Sequence, residues 1–77
     1  MQTNQSTLES KHWVEINGIV NNRLFQIAAS FKGSYKINKA RIEEFKQLIK
    51  SNGATYTGFS YLGYMTEQEF YSDEVPP

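Results

Sequence analysis

The chain has 77 residues, of which 39% are hydrophobic and 21% charged, with eight basic and eight acidic side chains and no cysteine. This length allows one small domain, which buries only about 60% of the surface of its unfolded chain. The absence of cysteine excludes disulfides and thiolate metal sites. The single histidine leaves few side chains that could bind a metal or act in nucleophilic catalysis. We therefore expect a protein that is not an enzyme, needs no cofactor or metal, and depends on packing for its stability.

Charge is distributed unevenly along the chain. Residues 23–50 carry seven basic and two acidic residues, whereas residues 51–77 carry four acidic residues and no basic one. A basic middle segment is typical of a phosphate-binding surface, but it also suits a solvated helix face beside an acidic tail. The candidate phosphate contacts are Arg23, Lys32, Lys36, Lys39 and Arg41.

The two ends of the chain are polar. Residues 1–10 contain little to bury and are predicted to be disordered, residues 11–72 to form the domain, and residues 73–77 to fray as an acidic, proline-containing tail. The N-terminus has no apolar core of a secretory signal, and no apolar run approaches the ~18 residues of a membrane span. We expect a cytoplasmic protein.

Residues 12–31 predict a β-hairpin. Asn17-Gly18 and Asn21-Asn22 are both turn sequences, but only a turn at Asn21-Asn22 aligns the apolar residues of strands 12–20 and 23–31 on one face. That shared face consists of Val14, Ile16, Phe25, Ile27, Ala29 and Phe31.

A helix is predicted over residues 38–52. Asn38 is a good N-cap, and Asn52-Gly53 is a typical helix end. The predicted core combines the helix stripe with the hairpin face: Val14, Ile16, Phe25, Ile27, Ile42, Phe45 and Ile49.

The remaining sequence predicts a third strand at 54–65 and a short helix at 67–72, where Thr66 and Glu69 have capping-box spacing. The fold class is α+β, a β-β-α-β domain with one main helix over a three-stranded sheet. We expect an antiparallel sheet of order 2-1-3, because antiparallel pairing tolerates a half-exposed sheet. The alternative is a third strand that pairs in parallel with the second.

Residues 57–64, TGFSYLGY, resemble a segment of the RNA-recognition motif, Lys/Arg-Gly-Phe/Tyr-Gly/Ala-Phe-Val-x-Phe/Tyr. The resemblance implies that Phe59 and Tyr61 stack on bases while Leu62 and Tyr64 face the core. Thr57 departs from the basic first position and Ser60 from the small fourth one. The order of elements also differs, since that motif has a strand between its first helix and this segment.

The third strand is predicted to carry apolar side chains on both faces, although one helix covers only one face. An outer apolar face is therefore expected, and either Phe70 and Tyr71 or a second chain covers it. This face is our candidate partner-binding surface: Trp13, Ile19, Leu24, Phe59 and Tyr61.

The composition favours a small module that binds a protein through this aromatic sheet face. Such a chain would suit a phage or mobile-element accessory protein, for example an inhibitor that acts on a host protein. One alternative is a single-stranded nucleic-acid binder, with Phe59 and Tyr61 stacking on bases above the basic middle segment. A second is an obligate homo-oligomer, such as a homodimer, in which the same face pairs with itself.

Overall fold

The structure is a computed structural model that describes residues 9–76. Its elements are β1 (Ser10–Val20), β2 (Arg23–Phe31), α1 (Lys39–Ser51), β3 (Thr55–Thr66) and α2 (Glu67–Phe70). The bounds of every element lie within two residues of the predicted bounds. Residues 1–8 of the predicted disordered segment lie outside the described residues, and Ser10, its last residue, begins β1.

The hairpin turns at Asn21-Asn22, as predicted. Both asparagines have positive φ, 52° and 63°, which a type I′ turn requires at its two central positions. The register follows from this turn, so that Ile16 lies opposite Ile27. Val14 and Ile16 are fully buried as a result.

The sheet is antiparallel with the order β2-β1-β3, which confirms the predicted α+β topology. The prediction that β3 carries apolar side chains on both faces is wrong, however. Two register shifts leave Thr57 and Leu62 without partners on β1, and each shift reverses the inward and outward alternation of the strand. As a result, four aromatic side chains of β3 fall opposite the helix-facing residues of β1: Tyr56, Phe59, Tyr61 and Tyr64.

Helix α1 begins as the sequence predicts, because the Asn38 side chain accepts a hydrogen bond from the backbone N–H of Arg41 at 3.0 Å. The helix packs mainly over β1 and β3. Four predicted core residues are buried with Ala54, namely Val14, Ile16, Phe45 and Ile49. The other three, Phe25, Ile27 and Ile42, are only half-buried at the edge of this core, which corrects the prediction that all seven are buried together.

Gly18 allows α1 to approach the sheet closely. A Cβ atom at this position would lie 2.8 Å from Cγ2 of Ile49 and 2.8 Å from the carbonyl oxygen of Thr55. The glycine therefore makes room for the helix and for the start of β3.

Helix α2 is a single turn, shorter than predicted, on the face of the sheet opposite α1. Its capping box is complete: Thr66 Oγ1 accepts from the N–H of Glu69 at 3.0 Å, and Glu69 Oε1 accepts from the N–H of Thr66 at 2.8 Å. This turn places Phe70 flat against Trp13, with ring centroids 4.0 Å apart and an angle of 4° between the planes. Residues 72–76 follow without regular secondary structure.

Candidate functional site

An aromatic cluster lies on the α1 side of the sheet, at the end where β1 begins and β2 ends. We call it the tyrosine cluster. The strands contribute four of its rings, and the loop between β2 and α1 contributes the fifth. Its members are His12, Phe31, Tyr35, Tyr61 and Tyr64.

His12 is the centre of the tyrosine cluster. Its ring centroid lies 4.7 Å from that of Tyr64 and 5.5 Å from that of Tyr35. Nε2 lies 3.0 Å from the carbonyl oxygen of Gly33, and Nδ1 lies 2.9 Å from the hydroxyl of Tyr61. A carbonyl oxygen only accepts, so Nε2 carries the proton, and in the neutral ring Nδ1 accepts from Tyr61. Both nitrogens are therefore engaged, and the imidazole ties the loop to β3.

The second register shift of β3 creates this arrangement. Trp13 pairs with Gly63 and the next residue, Val14, pairs with Tyr61, so Leu62 is the extra residue of a bulge. Gly63 has φ of 137°, a conformation that L side chains rarely adopt. The bulge brings the rings of Tyr61 and Tyr64 to the same side of the sheet.

Three tyrosines of the cluster are substantially exposed: Tyr35 by 49%, Tyr61 by 41% and Tyr64 by 61%. They also support one another, since the rings of Tyr35 and Tyr61 lie 4.5 Å apart. Such rings combine apolar area with a polar hydroxyl and have few rotatable bonds to immobilise on binding. The cluster is thus a pre-organised aromatic surface.

Basic residues follow two members of the tyrosine cluster in the sequence, since Lys32 comes after Phe31 and Lys36 after Tyr35. Four of the five candidate phosphate contacts come from the loop after β2 and from the first turn of α1: Lys32, Lys36, Lys39 and Arg41. Arg23 is separated from them, because it begins β2 at the hairpin end of the sheet.

Two of the four have acidic partners. Lys32 Nζ lies 2.6 Å from a carboxylate oxygen of Glu9, and its hydrogen bond and charge hold the pKa of Glu9 below the ordinary value. Arg41 lies 4.0 Å above the Phe31 ring and donates to Glu44 at 3.0 Å. Within the described residues, no ion pair involves Lys36 or Lys39.

The five predicted partner-binding residues do not form one surface, which corrects that expectation. Trp13 lies on the face opposite α1, where Phe70 and Tyr71 leave only 4% of it exposed. Its indole N–H donates to the carbonyl oxygen of Met65 at 2.9 Å. Ile19 and Leu24 pair on the same face near the hairpin turn, and both are exposed.

The other two predicted residues face α1. Phe59 is half-buried and packs against Phe45 of the core with ring centroids 5.2 Å apart, so it does not belong to an outer face of the sheet. Tyr61 belongs to the tyrosine cluster, and Tyr64, which the resemblance to the RNA-recognition motif placed in the core, is exposed. Sequence reasoning missed His12, Tyr35 and Tyr64 as site residues. The available signal was Gly63, since a glycine inside a strand pattern often marks a bulge.

Other kinds of site are poorly represented among residues 9–76. Within that range, no three His, Asp or Glu side chains are grouped so as to hold a metal ion. Neither helix of the described part of the chain has the length and apolar character needed to cross a membrane.

No family model, curated protein or solved structure matches the chain.

Proposed function

We propose that the chain is a small, non-enzymatic binding module that holds a protein partner on the tyrosine cluster. The observation that carries this proposal is the exposure of Tyr35, Tyr61 and Tyr64 on one surface whose rings are fixed by His12. Tyrosine and arginine are enriched among the residues that dominate protein interfaces. Arg41, stacked on Phe31 beside the cluster, fits the same pattern.

Rigidity supports the proposal as much as composition does. A partner gains little from a ring that must first be ordered, because each immobilised side chain costs free energy on binding. Here the hydrogen bond between His12 and Tyr61 and the contact between Tyr35 and Tyr61 order the rings in advance. A cytoplasmic accessory protein, such as a phage or mobile-element inhibitor of a host protein, is the kind of module that we propose.

Single-stranded nucleic acid is the second candidate ligand. It is favoured by the basic side chains of Lys32, Lys36 and Lys39 near exposed rings, since strands bind by stacking on aromatics while cations neutralise phosphates. In this case Tyr35, Tyr61 and Tyr64 would stack on the bases instead of Phe59. The chain's net charge of zero favours the protein partner.

The two candidates are separated by capture from a lysate of the organism that carries the gene, with and without nuclease. The bait is the wild-type chain, a Tyr35→Ala/Tyr64→Ala double variant, or Tyr71→Ala as a matched control on the opposite face. We expect a protein that the wild type and the control retain after nuclease treatment and that the double variant loses. Capture that the double variant retains would contradict the proposal, and capture that nuclease abolishes would favour nucleic acid.

A further inference from the structure

The outer edge of β2 lacks the features that usually protect a free strand edge. Residues 24–31, LFQIAASF, contain no charged residue, proline or glycine, and they pair with β1 without a bulge. Edge strands normally carry such features because unpaired backbone groups attract other strands. The opposite edge, β3, is interrupted by two bulges. Among the described residues no strand covers β2, so its edge is open.

The hairpin determines which backbone groups point outward from β2. The residues that flank a two-residue turn, here Val20 and Arg23, form a hydrogen-bonded pair, and the pattern alternates from there. The backbone N–H and C=O groups of Arg23 and of every second residue after it therefore point toward β1. The N–H and C=O groups on the free edge belong to Leu24, Gln26, Ala28 and Ser30.

The same side of the molecule is incompletely covered by helix. Because α1 packs over β1 and β3, a groove of about 310 Å³ remains between α1 and the end of β2. Ala29, Phe31 and Leu48 are among its lining residues, and Leu48 is 42% exposed. An additional strand beside β2 would place its own side chains along the open side of this groove.

We propose that two copies of the chain pair through the free edges of β2. The strands run antiparallel about a two-fold axis at Ile27, so that Leu24 exchanges hydrogen bonds with Ser30 of the second copy and Gln26 with its Ala28. The product is a six-stranded sheet with both α1 helices on one face. A closed two-fold interface of this kind is the commonest form of homo-oligomer.

The side chains of this register are self-complementary. On the α1 side, Ile27 meets its own copy, and the large Phe25 lies opposite the small Ala29. Neither contact buries a charge. Nine residues at about 3.3 Å each give an edge of about 30 Å, and only the sheet layer, about 10 Å thick, meets the second copy, because α1 lies over β1 and β3. The total buried area is then about 600 Å², below the range for stable specific interfaces, so the dimer is expected to be weak.

Pairing also changes the tyrosine cluster. The register sets Arg23 of the second copy opposite Phe31, on the α1 side of the sheet, beside the rings and the basic loop. Arg23 of the second copy thus joins the other four candidate phosphate contacts near the tyrosine cluster. The dimer carries two tyrosine clusters at opposite ends of one continuous sheet.

Sedimentation velocity over micromolar to millimolar concentrations tests the association, and the wild type is expected to approach twice the 8.9 kDa mass of the chain. Ala28→Pro removes an outward N–H without touching the bonds to β1, and Ala28→Lys places like charges near the axis. Both variants are expected to stay monomeric with an unchanged far-UV spectrum, whereas the control Ala28→Thr dimerises. If Ala28→Pro fails to fold, Ala28→Lys alone tests whether association depends on the free edge of β2.

Crosslinking tests the register, since the chain has no native cysteine. Under mild oxidation, Ile27→Cys is expected to form a disulfide-linked dimer, whereas Gln26→Cys and Ala28→Cys, offset from the axis, crosslink at least tenfold more slowly. A wild type that remains monomeric throughout the concentration range would overturn the proposal, and the edge would then be left to a strand from another protein. Dimerisation that Ala28→Lys leaves intact, or equal crosslinking at the three positions, would overturn it as well.

Discussion

His12 and Tyr61 are joined by a hydrogen bond although they do not lie opposite each other in the sheet. His12 pairs with Tyr64, whereas Tyr61 pairs with Val14, two residues further along β1. The imidazole nevertheless reaches the Tyr61 hydroxyl at 2.9 Å while its ring contacts Tyr64 at 4.7 Å. This diagonal contact exists because the bulge at Leu62 turns both tyrosines toward the same face, so the bulge determines the site.

The bulge is expected to depend on Gly63. Alanine at this position would have to adopt φ of 137° and place its Cβ 2.9 Å from Cε of Met65. We expect Gly63→Ala to lower the free energy of unfolding by about 1–3 kcal/mol. Gly58→Ala is the matched control in the same strand, since a Cβ there meets nothing within 4 Å. Equal urea denaturation midpoints for the two variants would contradict this assignment.

Phe45 is expected to be the most costly helix residue to truncate. It is 3% exposed and packs against Phe59 at the centre of the core. Phe45→Ala should lower the free energy of unfolding by about 3–5 kcal/mol, which is a large part of the total for a domain of this size. Leu62→Ala, an exposed truncation in β3, should change it by less than about 1 kcal/mol. Thermal unfolding followed by circular dichroism compares the two.

Trp13 reports on the docking of α2, because it is the only tryptophan in the chain. Phe70→Ala removes the stacked ring 4.0 Å away and should expose the indole. We expect emission at longer wavelength, stronger quenching by acrylamide and a loss of at least about 0.5–1.5 kcal/mol of stability. Tyr64→Ala, on the opposite face, should leave the emission maximum unchanged. An unshifted spectrum for Phe70→Ala would mean that α2 does not cover Trp13.

Local signals predicted much of this fold. Asn21-Asn22 determined the hairpin register because positive φ at both positions and a coherent apolar face agreed. Asn38 likewise marked the start of α1, where its side chain caps the helix. In both cases the information lies within a few residues, and tertiary packing reinforces the local preference.

The predicted site failed where distant parts of the chain meet. Simple alternation placed Phe59 and Tyr61 on an outer face, and the two bulges of β3 reversed that assignment. Trp13 was expected on an outer face that either Phe70 and Tyr71 or a second chain covers. The one-turn helix covers it with Phe70, so it is not available to a partner. Tyr35 lies in an irregular loop, so its contact with Tyr61 follows from no periodic pattern.

The most direct test of the tyrosine cluster is the affinity of a captured protein partner, once purified, for variants of the chain. We predict that Tyr64→Ala weakens binding by about 2 kcal/mol, or about 30-fold, with little change in stability. Tyr71→Ala, similarly exposed on the opposite face, should bind as the wild type does, and the salt dependence should be shallow. Wild-type affinity for Tyr64→Ala together with a loss for Tyr71→Ala would contradict the assignment and move the binding surface to the α2 side of the sheet.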